Sequence, residues 1–542
     1  MKKLFLFVFC LSLSLNIFAA TGKQNLSVED KEVFRALQDE IKRNIKELKM
    51  DKFSKPYFIT YKLVPYTKYF FGANQGVLTR STKVSYPDYE VQVKVGSKKE
   101  DNSFFMPGVR VAQNLDSSFA FNYEGIRKFL WQITDGVYKN ALAQLTEKQA
   151  YKKNKNITQE YDDFSFYPVQ QIFETLTVPE VDQNYWQDIV KSTSAQGMAQ
   201  ELEEFKTAVN ITFMPAYFIT SRGSKYLQDR YFITITFTAK GRLKDGFEFN
   251  LSKNLNYADF KDVPSQTELN KEALDFSNEV LALQKAKKAK AYIGPILLEG
   301  GQAAALMKVL QREISYTKPV YSNSQDISVE GAWADKLGLK VLSSGFDLID
   351  EPLLKTFEGK KLAGYYQIDE EGVKAQKLQI IENGILKTLP YTASLTKNNK
   401  KSNGHARTYF MFSSAFAAPS NLILLPRKTI PSEDFLNTFK NFCAEQGLKA
   451  CPVIKATDGK TFFGMLVDAK TGKQNAIYGE LSSFDSRSLR DIKYASDKMQ
   501  IYNQIINENG YSLITPNLIL DNGEIIPTKK QAARKPLISK PN

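Results

Sequence analysis

The sequence predicts an α+β protein of two domains, the first mixed and the second β-rich. Three observations carry this. A chain of 542 residues with 43% apolar and 12% aromatic residues exceeds one ordinary hydrophobic core. Long stretches of helical spacing cluster before residue 290. From Val329 onward short apolar runs alternate with Gly, Asp and Asn turns.

The elements follow in order. Val28 to Met50 spaces Val33, Leu37, Ile41, Ile45 and Leu48 on one helical face. Pro56 to Leu63, Val77 to Ser85 and Tyr89 to Gly96 read as strands, the last alternating and half-buried. Gly125 to Asn154 is a long amphipathic helix, and Val169 to Leu176 and Trp186 to Glu203 also read as helical. Val209 to Ile219 and Tyr231 to Ala239 are strands joined through Ser221-Arg222-Gly223-Ser224, and Asp245-Gly246 marks a further turn. Glu268 to Lys290 is predicted as a helix ending in a lysine run, with the domain boundary after it. Ala291 to Leu298 is apolar, and Ala303 to Ile314 is a core helix. Asn383-Gly384 between two apolar runs predicts a hairpin. Ser432 to Gly447 reads as a helix capped by Ser432 and closed at Gly447.

The ends read as processing and tail segments. Lys2 and Lys3, the apolar run Leu4 to Leu15 and small residues up to Ala20 resemble an export signal cleaved after Ala19. The divisions are thus 1–19 signal peptide, 20–290 first domain, 291–525 second domain and 526–542 basic tail. A periplasmic or secreted location follows. The formal charge of +14 is spread along the chain, with clusters at Lys285 to Lys290 and Lys529 to Lys540. Without interleaved aromatics these clusters read as solvated surface. At most they suggest weak attraction to an anionic envelope, and nucleic acid is not an expected partner. Cys443 and Cys451 remain after signal removal, and an oxidising compartment makes a disulfide between them an open alternative to two thiols.

The chain has one histidine, His405. Two-histidine zinc motifs are therefore excluded, and a Ser-His or Cys-His pair could form only around that position. No G-x-S-x-G, P-loop or C-x-x-C motif is present. In Asn403-Gly404-His405 the histidine suits a tight turn, because His tolerates positive φ better than most residues. Asp369, Glu370 and Glu371 precede Gly372, so they read as a hairpin turn more readily than as metal ligands.

Several segments resemble the TldD/PmbA family of metalloproteases. They run from Tyr292 (YIGPILLEGGQAAALM) through Asp350-Glu351-Pro352, Tyr366 to Gly372, Ile380 to Thr388, Leu389-Pro390-Tyr391 and Ser402 to Arg407. They end with Leu489 to Ile492 and Thr515 to Leu518. In the first domain, Leu130-Trp131 and Thr134 to Lys139 resemble the exported TldD-related branch. The resemblance implies a β-rich second domain of antiparallel barrel or sandwich type, and subunits that pair. In the family's best-studied pair one subunit carries H-E-x-x-x-H on a helix after an apolar strand and cleaves unfolded peptides. The other lacks the motif and completes the chamber. Here the corresponding stretch is Leu298-Glu299-Gly300-Gly301-Gln302, with Glu299 near the place of the first ligand. His405 stands where the family commonly reads asparagine, in S-T-G-N-A-R.

The resemblance therefore implies a non-catalytic, peptide-handling subunit in a homo- or hetero-oligomer with another TldD/PmbA-like subunit. No cofactor is expected unless a partner subunit supplies zinc. Glu299 is the candidate catalytic carboxylate, and Asn403, His405 and Arg407 are the candidate substrate contacts. Arg407 could hold a substrate carboxylate. The alternatives are an active peptidase with an unorthodox carboxylate and metal site, and an envelope-binding structural protein.

Overall fold

The computed structural model describes residues 26–106, 121–174, 180–199, 201–243, 246–315, 318, 320–323, 333–407, 415–458, 460–506 and 509–528. The signal peptide and most of the basic tail lie outside the described residues, as do Val169 to Leu176 in its last two positions and Asp245.

The first sheet has eight strands: β1 (Phe58–Asn74), β2 (Val77–Lys94), β3 (Gln171–Glu174), β4 (Glu204–Phe213), β5 (Ala216–Thr220), β6 (Lys225–Gln228), β7 (Tyr231–Arg242) and β8 (Glu248–Tyr257). Their order is β3-β6-β5-β1-β4-β7-β8, with β2 along the other edge of β1. Where two strands were expected before Gly96, one strand runs through Pro87, which sits opposite Pro65 in an antiparallel ladder. Among the described residues no strand pairs with the outer edge of β2, and an edge strand is where a sheet tolerates proline. Gln171–Glu174 is a strand and not the expected helix, because it pairs in parallel with β6. The Ser221 to Ser224 turn makes the β5–β6 hairpin.

Alternation along β1 assigns its two faces. Ile59, Tyr61, Leu63, Phe71 and Ala73 pack under helices. These are α1 (Val28–Glu47), α2 (Tyr123–Asn154), α3 (Gln183–Gln196) and α4 (Gln266–Leu283). Ser27 starts α1 with a capping box to Asp30. On the opposite face Val64 and Tyr66 pack with Ala363, and Phe58 packs with Ala393. The second domain therefore lies against the helix-free face of the first sheet.

The second sheet has eleven strands: β9 (Lys287–Lys288), β10 (Tyr292–Leu298), β11 (Phe346–Asp350), β12 (Leu378–Glu382), β13 (Ile385–Leu386), β14 (Asn421–Pro426), β15 (Ala450–Asp458), β16 (Thr461–Asp468), β17 (Gln474–Leu481), β18 (Ile492–Ile506) and β19 (Asn509–Ile526). The pairings β17-β16-β15-β10-β19 return to β17, so five strands close on themselves. The pairing is mixed: β10–β15 and β14–β19 are parallel. Helix α5 (Gly301–Ile314) contributes Leu306, Met307 and Leu310 to the core of this domain.

The lysine run does not extend α4. That helix ends at Leu283, and Lys287–Lys288 pairs in parallel with β17. A run of charges carries no helical periodicity, and the sheet edge decides its conformation. Asn383 (φ 47°) and Gly384 (φ 81°) form the predicted hairpin turn. Helix α6 (Ser432–Glu445) starts after Pro431 and has no side-chain cap. Ser432 instead donates to Asp497, at 2.6 Å. Cys443 and Cys451 are joined by a disulfide between α6 and β15.

Candidate functional site

The junction of β10 and α5 is where the catalytic pattern would fall. Ile296, Leu297 and Leu298 are buried, and the chain turns at Gly300, whose φ of 57° and ψ of −130° suit glycine. The first turn of α5 is closed by backbone alone: Gln302 N–H donates to Glu299 C=O and Ala303 N–H to Gly300 C=O. The Glu299 side chain does not cap the helix. It points to Lys455, with 3.6 Å between Oε2 and Nζ and both side chains more than a third exposed. Such a surface pair contributes little. Asn517 Oδ1 accepts from Gly300 N–H at 3.1 Å and from Gln500 Nε2 at 2.8 Å, and the Tyr502 hydroxyl donates to Gln500. The junction thus offers one exposed carboxylate, amides and a phenol. That set does not fit a catalytic zinc, which takes three protein ligands from imidazole, carboxylate and thiolate and keeps a fourth position for water. Among the described residues no group of three or more His, Cys, Asp and Glu side chains could hold a metal ion.

The other candidates lie elsewhere, together, in the second domain, with Arg407 toward the seam with the first. Gly404, not His405, takes the positive φ of the turn, at 77°. A Cβ there would stand 2.2 Å from Lys374 O. His405 is fully buried, with Nδ1 3.0 Å from Asn403 O and Nε2 3.0 Å from Asp350 Oδ2. Asp350 also accepts from Ser420 N–H and Oγ. Asn403 accepts from Tyr391 N–H and donates to Leu389 C=O. His405 is fully buried with both ring nitrogens within 3.0 Å of an oxygen, Asn403 is engaged by its own loops, and Arg407 is 1% exposed. Glu299 shares no bonding partner with this group.

The acidic run forms the turn expected of it. Asp369 Oδ1 accepts from Glu371 and Val373 N–H, its Oδ2 accepts from Ala406 N–H, and Gly372 has φ 93°. Glu371 accepts from Ala393 N–H at 2.6 Å, and the Tyr167 hydroxyl donates to the Glu371 carbonyl. Glu370 meets Lys62 of β1 at 3.1 Å. Burial, then the charge of Glu371, pushes the Asp369 carboxyl up to about 7. Burial, with the charge of Asp101 adding to it, lifts Glu371 to about 7 against the opposing Ala393 bond and Lys94 charge.

A second charged cluster had no sequence signal. Lys148 Nζ donates to Asp163 Oδ2 (2.6 Å), Asp101 O (2.8 Å) and Ser103 O (2.7 Å). Lys318 of the second domain reaches Asp163 at 3.1 Å, and Lys94 reaches Asp101 at 3.3 Å. Beside it lies a cavity of about 550 Å³, lined by both domains through Phe104, Tyr161, Lys318, Tyr321 and Thr396. These residues are spread over three hundred positions, so no local motif could have announced them.

The closed second sheet, the helix-backed first sheet and the strand–helix junction define a two-domain fold of the TldD/PmbA type. Residues 314–446 match the family profile of the PmbA/TldA metallopeptidase C-terminal domain. The metalloprotease MJ0996 of Methanocaldococcus jannaschii is 31% identical over 157 residues, which is 28% of this chain and 32% of that protein. The match thus spans about a third of that relative's length. TldE from Thermococcus kodakarensis superposes with a TM-score of 0.59 at 12% identity, over 90% of this chain and 99% of that one. A proposed modulator of DNA gyrase from Thermotoga maritima gives 0.58 at 14%, over 91% and 100%. Residues 314–446 thus carry a domain of the PmbA/TldA C-terminal type, and the chain as a whole shares the fold of these solved structures.

Proposed function

We propose that this chain is an exported, peptide-handling TldD/PmbA-like subunit that does not itself cut. The observation that carries the reading is the β10–α5 junction. Its only carboxylate among the described residues, Glu299, is partly exposed and beside Lys455, and the sole histidine is buried against Asp350 in another part of the domain. Peptide hydrolysis at neutral pH needs an activated water, which a catalytic zinc supplies by lowering its pKa. Neither Glu299 nor the amides of Gln500 and Asn517 supply an equivalent. Chamber formation with a second TldD/PmbA-like subunit, carrying the zinc ligands or identical to this one, is part of the same reading.

The test is incubation of the purified mature chain with an unfolded casein, with and without chelator, alongside metal analysis. Binding without cleavage and without zinc is expected. One tightly held zinc per chain, or cleavage that a chelator stops, sinks the reading. Cleavage abolished by Glu299→Ala would instead establish the unorthodox carboxylate site.

A further inference from the structure

Arg407 is the group that the packing leaves unexplained. It is 1% exposed, and its Nε and Nη1 are buried with no hydrogen-bond partner among the described residues. Its guanidinium carbon lies 4.1 Å above the Tyr366 ring and 5.5 Å from that of Tyr511. Stacking of this kind recovers only part of the cost of burying a charge. Asp350 and Glu370 lend a favourable field, but Asp350 bonds to Ser420 and Glu370 to Lys62, and neither bonds to the guanidinium. Across the seam, the first domain contributes Arg230. Its Nη2 donates to Gln228, which donates in turn to Tyr365 C=O, and its Nε is buried without a partner among the described residues. Burial, then the nearby charge of Arg407, pushes Arg230 below its ordinary range. Arg230 is partly exposed, so the pair runs from the surface inward. Two guanidinium groups with vacant donors thus come to one seam, Arg407 stacked on phenols and Arg230 tied through Gln228 to the neighbouring Tyr365, a donor set that suits an oxyanion.

We propose that Arg230 and Arg407 form a carboxylate site at the seam between the two domains. The carboxylate comes from a peptide C-terminus or from a small free acid; the first source rests on the peptide-handling reading above. The experiment follows thermal unfolding of the full mature chain with a tetra-alanine acid, its C-terminal amide, and succinate. The acid is expected to raise the midpoint saturably and the amide to leave it unchanged. A matching shift with succinate assigns the site to free acids, and a shift with the peptide acid alone assigns it to peptide ends. In Arg407→Met the apparent Kd weakens by about tenfold or more, as expected for loss of a charge-assisted contact. Its unliganded midpoint does not fall, because an uncompensated charge has been removed. Arg230→Gln, at the more exposed position, gives the same weakening and decides the matter where Arg407→Met does not fold. Equal shifts with acid and amide, no shift with any of the three, or undiminished shifts in both variants overturn the site. Casein binding measured in parallel separates the two ideas. Casein bound without an acid-specific shift removes the site and leaves the peptide-handling reading. A succinate shift without casein binding does the reverse.

Discussion

Replacing Asp163 by Asn should destabilise the protein more than removing the lysine it bonds. In the cluster formed by Asp101, Asp163, Lys94, Lys148 and Lys318, Asp163 is 2% exposed and Lys148 1%. Two carboxylates face three ammonium groups, so its formal balance is +1. Asp163→Asn raises that balance to +2 and leaves Lys148 and Lys318 sharing one neutral amide oxygen. Stranding buried charge in this way costs about 3–5 kcal/mol. Lys148→Met brings the balance to zero. It removes three hydrogen bonds, but Asp163 keeps Lys318, Gln159 Nε2 at 3.0 Å and Asp101 N–H at 3.0 Å. The loss there is two unpaired carbonyls and no stranded charge, about 2–3 kcal/mol. At about 3 °C per kcal/mol for a domain of this size, the midpoints should fall by roughly 12 °C and 7 °C. Calorimetry at neutral pH measures both, and urea titration at 25 °C checks the order. Equal losses, or a larger loss for Lys148→Met, would refute the charge-balance argument.

Two further outcomes follow from the seam. Asp369 and Glu371 have folded pKa values raised to about 7, chiefly by burial, so the native state binds more protons than the unfolded chain between about pH 4 and pH 7. Stability should therefore decline as pH rises through that window, by up to about 1.4 kcal/mol per unit for each group, and level off above it. Glu371→Gln should flatten the slope in urea titrations at stepped pH, and an unchanged slope would remove these carboxyls as its source. Gly404→Ala combines left-handed backbone strain with a Cβ set 2.2 Å from Lys374 O. The expected loss is about 3 kcal/mol, read by urea midpoint, and a loss below about 1 kcal/mol would show that the turn relaxes freely.

The helices were legible in the sequence because one face of each is buried against a sheet, which imposes the 3.6-residue period on α1, α2 and α5. The Asn383-Gly384 hairpin was legible because its turn requires two positive φ angles. What escaped was decided by partners distant in sequence. Gln171–Glu174 and Lys287–Lys288 become strands only because β6 and β17 stand beside them. Pro87 looked like a break because its neighbours do not reveal that its strand runs along an edge. The junction at Glu299 could be placed from a motif, since strand, turn and helix are consecutive there. The charged clusters could not: Asp101, Lys148, Asp163 and Lys318 meet through the fold alone.

That contrast bears on where a ligand would act. At the β10–α5 junction the polar groups bond to one another or to solvent, and the one carboxylate has a lysine beside it. At the seam, Lys62 meets Glu370 across the domains, Lys318 meets Asp163, and the Tyr167 hydroxyl meets the Glu371 carbonyl. Every one of these contacts has one partner in each domain, so a change in how the domains sit must break or remake them together. Arg230 and Arg407 come to the same seam, one from each domain, and both keep buried donors without a partner among the described residues. An anion bound between them would add a bond to both domains at once. Its binding energy would then favour the closed arrangement of the seam, in proportion to how much more tightly that arrangement holds it.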